Sequence, residues 1–258
     1  MRAFGWLLVL ASCAAANPSP SASPSPSPPS TASASPSPSA SPSPSPSANP
    51  APVDDPQPPT ANHRFEDPAY WSKIFDDPAR DQWQRPAALV EALAIAKDET
   101  AVDLGTGTGY MLPHLSQALP AGRVIAIDVE AGLLRHVDER VKKAGLSNVE
   151  TRLAQADDPK LRERIDLVLV VDTYHHIGRR SAYFHRLSQH LSPRGRVAIV
   201  DFKLGKFPVG PGDDHKLAPE VVTREMTAGG YALCKTWDGL PYQYVLIFGL
   251  HCPAPASP

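Results

Sequence analysis

Residues 101–110, AVDLGTGTGY, constrain the fold more than any other stretch of the chain. Val102 and Leu104 flank Asp103, and Gly105-Thr106-Gly107-Thr108-Gly109 follows at once. Such a pattern ends a buried strand and turns it sharply into a helix. Glycine tolerates left-handed dihedrals and leaves no Cβ in the way of a ligand. The helix that follows offers unpaired N–H groups at its N-terminus. A turn of this kind serves many functions, and a tight turn that holds no ligand also satisfies it. The next strand adds weight. Residues 124–130, VIAIDVE, place Asp128 about twenty residues beyond the glycines, where an open parallel sheet sets a carboxylate over the same crevice, at ribose-hydroxyl distance.

The rest of the chain alternates strands and helices. A helix is expected at 86–96, then a strand at 101–104, a helix at about 110–119 and a strand at 123–127. Helix 131–144 is closed by Gly145, strand 149–153 follows, and 161–164 forms a brief helical or irregular link. Residues 165–171 are almost wholly apolar, as a central parallel strand should be. A helix at about 180–190, a turn at 192–195, a strand at 196–201 and a helix at 219–228 come next. The last two strands, 231–236 and 242–250, are joined by so short a link that they must pair antiparallel. Five βα units followed by a hairpin differ from the two matching mononucleotide halves of an NAD-binding sheet.

Ahead of this domain the composition changes. Residues 1–16 read MRAFGWLLVLASCAAA, with an apolar run too short to span a bilayer, which takes about 20 residues. They fit an export signal. Leu10-Ala11-Ser12-Cys13 also resembles the bacterial lipoprotein signal, which implies cleavage before Cys13 and a membrane anchor on its acyl chains. Ordinary secretion with cleavage near Ala16, or an uncleaved segment, stays open. Residues 17–61 are a Pro-Ser-Ala tract in a chain of 30 prolines, unable to build a core and expected to be disordered. Extended as polyproline II it would reach roughly 140 Å, a stalk between anchor and domain. The domain itself is expected over 62–252, with a frayed tail at 253–258.

Residues 63–83 are rich in aromatics and acids. Asp67-Pro68 and Asp77-Pro78 each look like a helix cap with proline at the first helical position. Two short helices would present Tyr70, Trp71, Ile74 and Phe75 on one side, either packed on the sheet edge or as a lid over the crevice. Net charge is −2 and no basic stripe stands out, which argues against nucleic acid. Cys234 reads as a buried thiol in an apolar strand; a Cys234–Cys252 disulfide is the alternative if the last strands pair.

From about Asp81 to Leu250 the chain resembles a class I S-adenosylmethionine-dependent methyltransferase. The resemblance rests on VDLGTGTG at 102–109, Asp128 at the end of the second strand, Ala156-Asp157 after the third, and SPRGRVAIVDF at 192–202. It implies an α/β, Rossmann-like class I methyltransferase fold, a seven-stranded and mostly parallel sheet with an antiparallel C-terminal hairpin strand. It further implies S-adenosyl-L-methionine as cofactor, with Gly105, Thr106, Gly107 and Gly109 around its methionine part. Asp103 would order that loop or reach the ammonium group through water, and Asp128 would accept from both ribose hydroxyls. Glu130 is a second contact or a helix cap. Ala156 and Asp157 would read the adenine.

Methyl transfer is an in-line displacement in which the protein aligns the nucleophile and takes a proton where needed. The fourth strand ends in Asp172-Thr173-Tyr174-His175-His176. Asp172 or Thr173 would line the methionine end, and Tyr174, His175 or His176 would face the methyl group. A histidine near neutrality suits a general base. The loop departs from the Asn/Asp-Pro-Pro-aromatic pattern of adenine and glutamine methyltransferases, which leaves small-molecule or lipid-like acceptors. Residues 205–215 form a second loop at the same edge, and Asp213-Asp214-His215 lacks a metal-binding spacing; no metal is expected. The anchor supplies the membrane contact, and the domain is expected to work as a monomer. Export to the bacterial cell envelope conflicts with a cofactor made in the cytoplasm, so a cytoplasmic protein, or a non-catalytic lipoprotein that binds S-adenosylmethionine or another adenosyl ligand, is the alternative.

Overall fold

The computed structural model describes residues 64–252 together with Pro59. The signal with Cys13, nearly all of the Pro-Ser-Ala tract and the tail at 253–258 lie outside the described residues. Among the described residues no helix is long and apolar enough to cross a membrane.

Among the described residues three short helices come first, α1 (Pro68–Phe75), α2 (Arg80–Gln84) and α3 (Pro86–Ala92). It continues as β1 (Thr100–Leu104), α4 (Leu112–Ala118), β2 (Arg123–Asp128), α5 (Ala131–Ala144), β3 (Val149–Leu153) and β4 (Ile165–Val171). Then come α6 (Arg180–Ser188), β5 (Leu191–Phe202), α7 (Pro219–Ala228), β6 (Ala232–Trp237) and β7 (Gln243–Gly249). The strands form one seven-stranded sheet in the order β3-β2-β1-β4-β5-β7-β6. β1 to β5 pair parallel, and β7 is antiparallel to both β5 and β6. This is the sheet that the βα alternation and the terminal hairpin demand.

The inner strands β1, β2, β4, β5 and β7 are largely buried on both faces, whereas the edge strands β3 and β6 are partly exposed. Val102, Ile125, Val168 and Ile199 point to the side covered by Phe184 and Leu187 of α6 and Val222 and Met226 of α7. Ala101, Val124, Leu167 and Val200 point to the other, against Leu89 of α3, Leu112 and Leu115 of α4 and Val137 of α5. Each fully buried aliphatic side chain contributes about 1.5–3 kcal/mol of transfer free energy. β2 and β3 lie on one side of β1 and β4 on the other, so the crevice opens between the carboxyl ends of β1 and β4.

Local signals place several ends as expected. Asp67 caps α1 by accepting from the N–H groups of Ala69 and Tyr70, with Pro68 at the first position. Gly145 closes α5 at φ 68°. Other ends differ. α3 stops at Ala92, and Ala94 adopts φ 48°. Asp77 makes a turn by accepting from Ala79 N at 2.8 Å, and helix begins only at Arg80. Residues 161–164 are irregular, one of the two forms expected of that link. The turn read at 192–195 is absorbed into β5: Ile165 pairs with Leu191 but Leu167 pairs with Arg196, so the extra residues bulge out of the ladder.

Cys234 is not a buried thiol. It is half-exposed and bonded to Cys252, with Cα atoms 5.1 Å apart. The pairing of β6 with β7 slips between Leu233 and Lys235, at Cys234 itself, and the antiparallel return of β7 brings Cys252 alongside.

Candidate active site

The glycine turn after β1 is fixed from below. Gly105 N and Thr106 N donate to the carbonyl of Ile127 at 2.8 and 2.9 Å. Gly105 has φ 74°, and a Cβ there would meet the Thr173 side chain at 2.3 Å, so only glycine fits. Asp103 is buried and accepts from Thr106 Oγ1 at 2.7 Å. Burial pushes its pKa up to about 6 against the pull of the Thr106 hydrogen bond. Asp128 accepts from Gly107 N at 2.9 Å and from Glu130 N at 3.0 Å. Burial raises its pKa as well, opposed by those backbone amides.

These groups border a cavity of about 2050 Å³ that reaches across the carboxyl ends of the strands. Its wall includes Gly105, Thr106, Gly107, Asp128, Glu130, Ala156, Asp157, Asp172, His175 and His176, each assigned to the site from the sequence. Two assigned residues are placed elsewhere. Gly109 has no surface on the cavity; its Cα faces Leu112 and Val137 in the interior. Tyr174 is turned fully into the core, where its hydroxyl donates to Glu225 Oε2 at 3.0 Å. The short 3-10 turn at Tyr174–His176 sends its residues to different sides, which sequence adjacency hides. Glu130 stands at the N-cap position of α5 without a capping bond, and its carboxylate takes Arg64 Nε at 3.2 Å.

His175 is 4% exposed, and its Nδ1 lies 2.8 Å from Asp201 Oδ2 at the end of β5. Burial acts to lower the imidazole pKa, but the Asp201 charge and hydrogen bond outweigh it and the value is raised. With a carboxylate on Nδ1, that nitrogen carries the proton and Nε2 is the basic one. Asp201 escaped the sequence reading, although it ends an apolar strand at the same edge as Asp128 and Asp172. That shared position was the available signal.

Asp172, at φ 50° beyond β4, is the hub of a second set of contacts. Its Oδ1 accepts from Gln243 Nε2 at 2.8 Å, Gln243 Oε1 accepts from Gln84 Nε2 at 2.9 Å, and Gln84 Oε1 accepts from Arg80 Nη2 at 3.1 Å. Arg80 Nη2 returns to within 3.8 Å of Asp172 Oδ2, closing a ring that ties α2 to β4 and β7. Burial and the neighbouring Asp201 push the Asp172 pKa up to about 6, with Arg80 opposing.

The N-terminal helices border the cavity. Trp71, Ile74 and Phe75 line the cavity, while Tyr70 is more than half exposed. Phe75 stacks on Trp71 at 5.1 Å and lies over Gly107. Asp76 holds the end of α1 down, accepting from Arg140 at 2.7 Å and from Thr108 Oγ1 at 3.0 Å. On the far wall Trp83 packs on Phe202 at 5.6 Å. His215 reaches the wall too, but Asp213 is engaged with Lys216 Nζ at 2.9 Å and Gly205 N at 3.0 Å.

The fold is that of solved methyltransferase structures, a seven-stranded sheet whose last strand runs antiparallel, and part of the chain is similar to a methyltransferase family. Residues 101–195 match the family model described as "Methyltransferase domain". A curated relative, a malonyl-[acyl-carrier protein] O-methyltransferase of Acetivibrio thermocellus, is 26% identical over 51% of this chain and 46% of its own length. The chain spans less than half the length of curated relatives of this kind. A solved structure of a SAM-dependent methyltransferase from Aquifex aeolicus is 26% identical, with a TM-score of 0.66 over 70% of this chain and 97% of that one. The [4+2]-cyclase SpnF shares the fold at 16% identity, with a TM-score of 0.52 over 60% of this chain and 58% of its own. The fold alone therefore does not specify the reaction.

Proposed function

We propose that this protein is a membrane-tethered S-adenosylmethionine-dependent methyltransferase acting on a small-molecule or lipid-like acceptor. One observation carries the reading: a continuous cavity joins the glycine turn and Asp128 to His175, which Asp201 backs from the interior. At about 2050 Å³ it exceeds the roughly 300–1,000 Å³ that a single ligand fills, which leaves room for an acceptor beside a cofactor.

The residues fit the cofactor. Gly107 presents bare backbone to the cavity, and the Asp128 carboxylate on the same wall has acceptor capacity left after two amide bonds. Bound there, S-adenosylmethionine would supply a methyl group on a sulfonium that departs as a thioether. Asp128 would hold the ribose, and Ala156 and Asp157 the adenine. The buried carboxylates of Asp103 and Asp172 favour a cation at the methionine end. His175 would take the acceptor's proton at Nε2, and Asp201 would hold the imidazole in that tautomer and offset the charge it gains. The aromatic walls of Trp71, Phe75, Trp83 and Phe202, with Ile74 and Val129 exposed at the rim, favour an apolar acceptor.

Export rests on the signal, the lipid on Cys13 and the stalk. The Cys234–Cys252 disulfide supports it, because such bonds persist in oxidising compartments. Fatty-acid labelling of cells, lost in a Cys13→Ser variant, is the expected result. For the activity, calorimetric titration with S-adenosylmethionine and S-adenosylhomocysteine should show micromolar binding that Asp128→Ala weakens. No binding by the folded protein would remove the methyltransferase reading.

A further inference from the structure

Glu225 sits on α7, a helix with no residue on the cavity wall, and is 4% exposed. Both of its carboxylate oxygens are engaged by the active-site loop. Oε2 accepts from Tyr174 Oη at 3.0 Å and from Arg180 Nε at 2.7 Å, and Oε1 accepts from Arg180 Nη2 at 3.0 Å. Arg180 in turn donates through Nη1 to the carbonyl of Ile177 at 3.1 Å. Tyr174 and Arg180 bracket residues 175–179, every one of which lines the cavity. One remote carboxylate thus fastens both ends of the wall that carries His175.

A buried ion pair is a poor device for stability, since desolvation cancels most of the attraction and apolar replacements are often as stable. A forked carboxylate–guanidinium contact does fix geometry in a way apolar packing does not. We propose that Glu225 is a positioning residue for His175, setting through Tyr174 and Arg180 where the imidazole stands relative to Asp201 and the cavity. The proposal rests on the methyltransferase reading only for what the imidazole does, not for where it stands.

The charged groups that act on His175 are Asp201 from β5, Asp172 beyond β4 and Arg180 from α6. In Glu225→Gln the Arg180 charge loses the Glu225 carboxylate charge and repels the imidazolium more strongly. The His175 titration, followed by NMR of labelled histidine in the full chain, should move down by about half a pH unit. Tyr174→Phe frees one end of the loop without changing charge. It should leave that titration nearly in place but speed exchange of the Nδ1 proton held by Asp201. Calorimetry with S-adenosylmethionine should give wild-type affinity for both variants. An unchanged titration in folded Glu225→Gln, with an unchanged Nδ1 proton in Tyr174→Phe, would overturn the proposal and leave Glu225 a purely structural partner. Should Glu225→Gln fail to fold, the Nδ1 exchange in Tyr174→Phe decides alone. Failure of the wild-type protein to bind S-adenosylmethionine would instead remove the functional reading, with the His175 measurements still standing as the test of position.

Discussion

Nδ1 of His175, in the turn beyond β4, and Oδ2 of Asp201, near the end of the adjacent parallel strand β5, lie 2.8 Å apart, and both residues are buried. The pair makes His175 a base whose conjugate acid is stabilised. Its pKa stands above the ordinary 6.5, so turnover should rise with pH through that raised value. The protonated pair's contribution to stability runs the other way, full below 6.5 and lost as pH rises through the folded value. Asp201→Asn should lower the maximal rate by about 10²-fold or more and shift the acid limb of the pH–rate profile to lower pH. A profile that keeps its midpoint would remove His175 as the base.

Asp128 bonds two backbone amides and faces the cavity. Hydrogen bonds to a charged group are worth about 1.5–3 kcal/mol, so Asp128→Ala should weaken S-adenosylmethionine binding by about ten- to a hundredfold. Calorimetry checks this, and circular dichroism guards against a misfolded glycine turn. Normal affinity in a folded variant would misplace the ribose.

Burial pushes the pKa of both Asp103 and Asp172 up to about 6. A sulfonium keeps its charge at every pH, whereas these carboxylates lose theirs below 6. Cofactor affinity should therefore fall as pH drops from 7.5 to 5. The stability of the free protein moves oppositely, because a raised carboxylate favours the folded state at low pH and loses that advantage as pH rises through 6. Binding and melting measured across this range should show the two opposed trends; flat binding would mean that neither carboxylate attracts the cation.

Gly105→Ala should be strongly destabilising, since its Cβ would meet Thr173 at 2.3 Å on a backbone at φ 74°. Overpacking of this kind costs about 1–3 kcal/mol, or several degrees in Tm. Pairing it with Thr173→Ala should recover part of the loss but not the strain of the dihedral. Full recovery would show that φ carries no cost here.

The Cys234–Cys252 bond closes a loop across the last hairpin with a sequence separation of 18. Loop-closure entropy assigns about 3 kcal/mol to such a bond. Reduction, or Cys252→Ser, should lower Tm by roughly 6–12 °C and leave cofactor affinity unchanged, because neither cysteine touches the cavity. A change in affinity would tie the sheet edge to the site.

The order of elements, the glycine turn and the strand-end acids Asp128 and Asp172 were legible in the sequence because their causes are local. Near-continuous apolar runs, glycines that alone accept a positive φ, and a proline after a capping aspartate each act over a few residues. What joins His175 to Asp201 spans 26 positions, Tyr174 to Glu225 spans 51, and Gln84 to Gln243 spans 159. No local pattern encodes such partners. They meet because seven strands adopt one order and register, and because buried polar groups must find one another once water is excluded. The same tertiary pairing turned Tyr174 inward while leaving His175 on the cavity wall, and brought Cys234 to Cys252 through a slip in one β ladder.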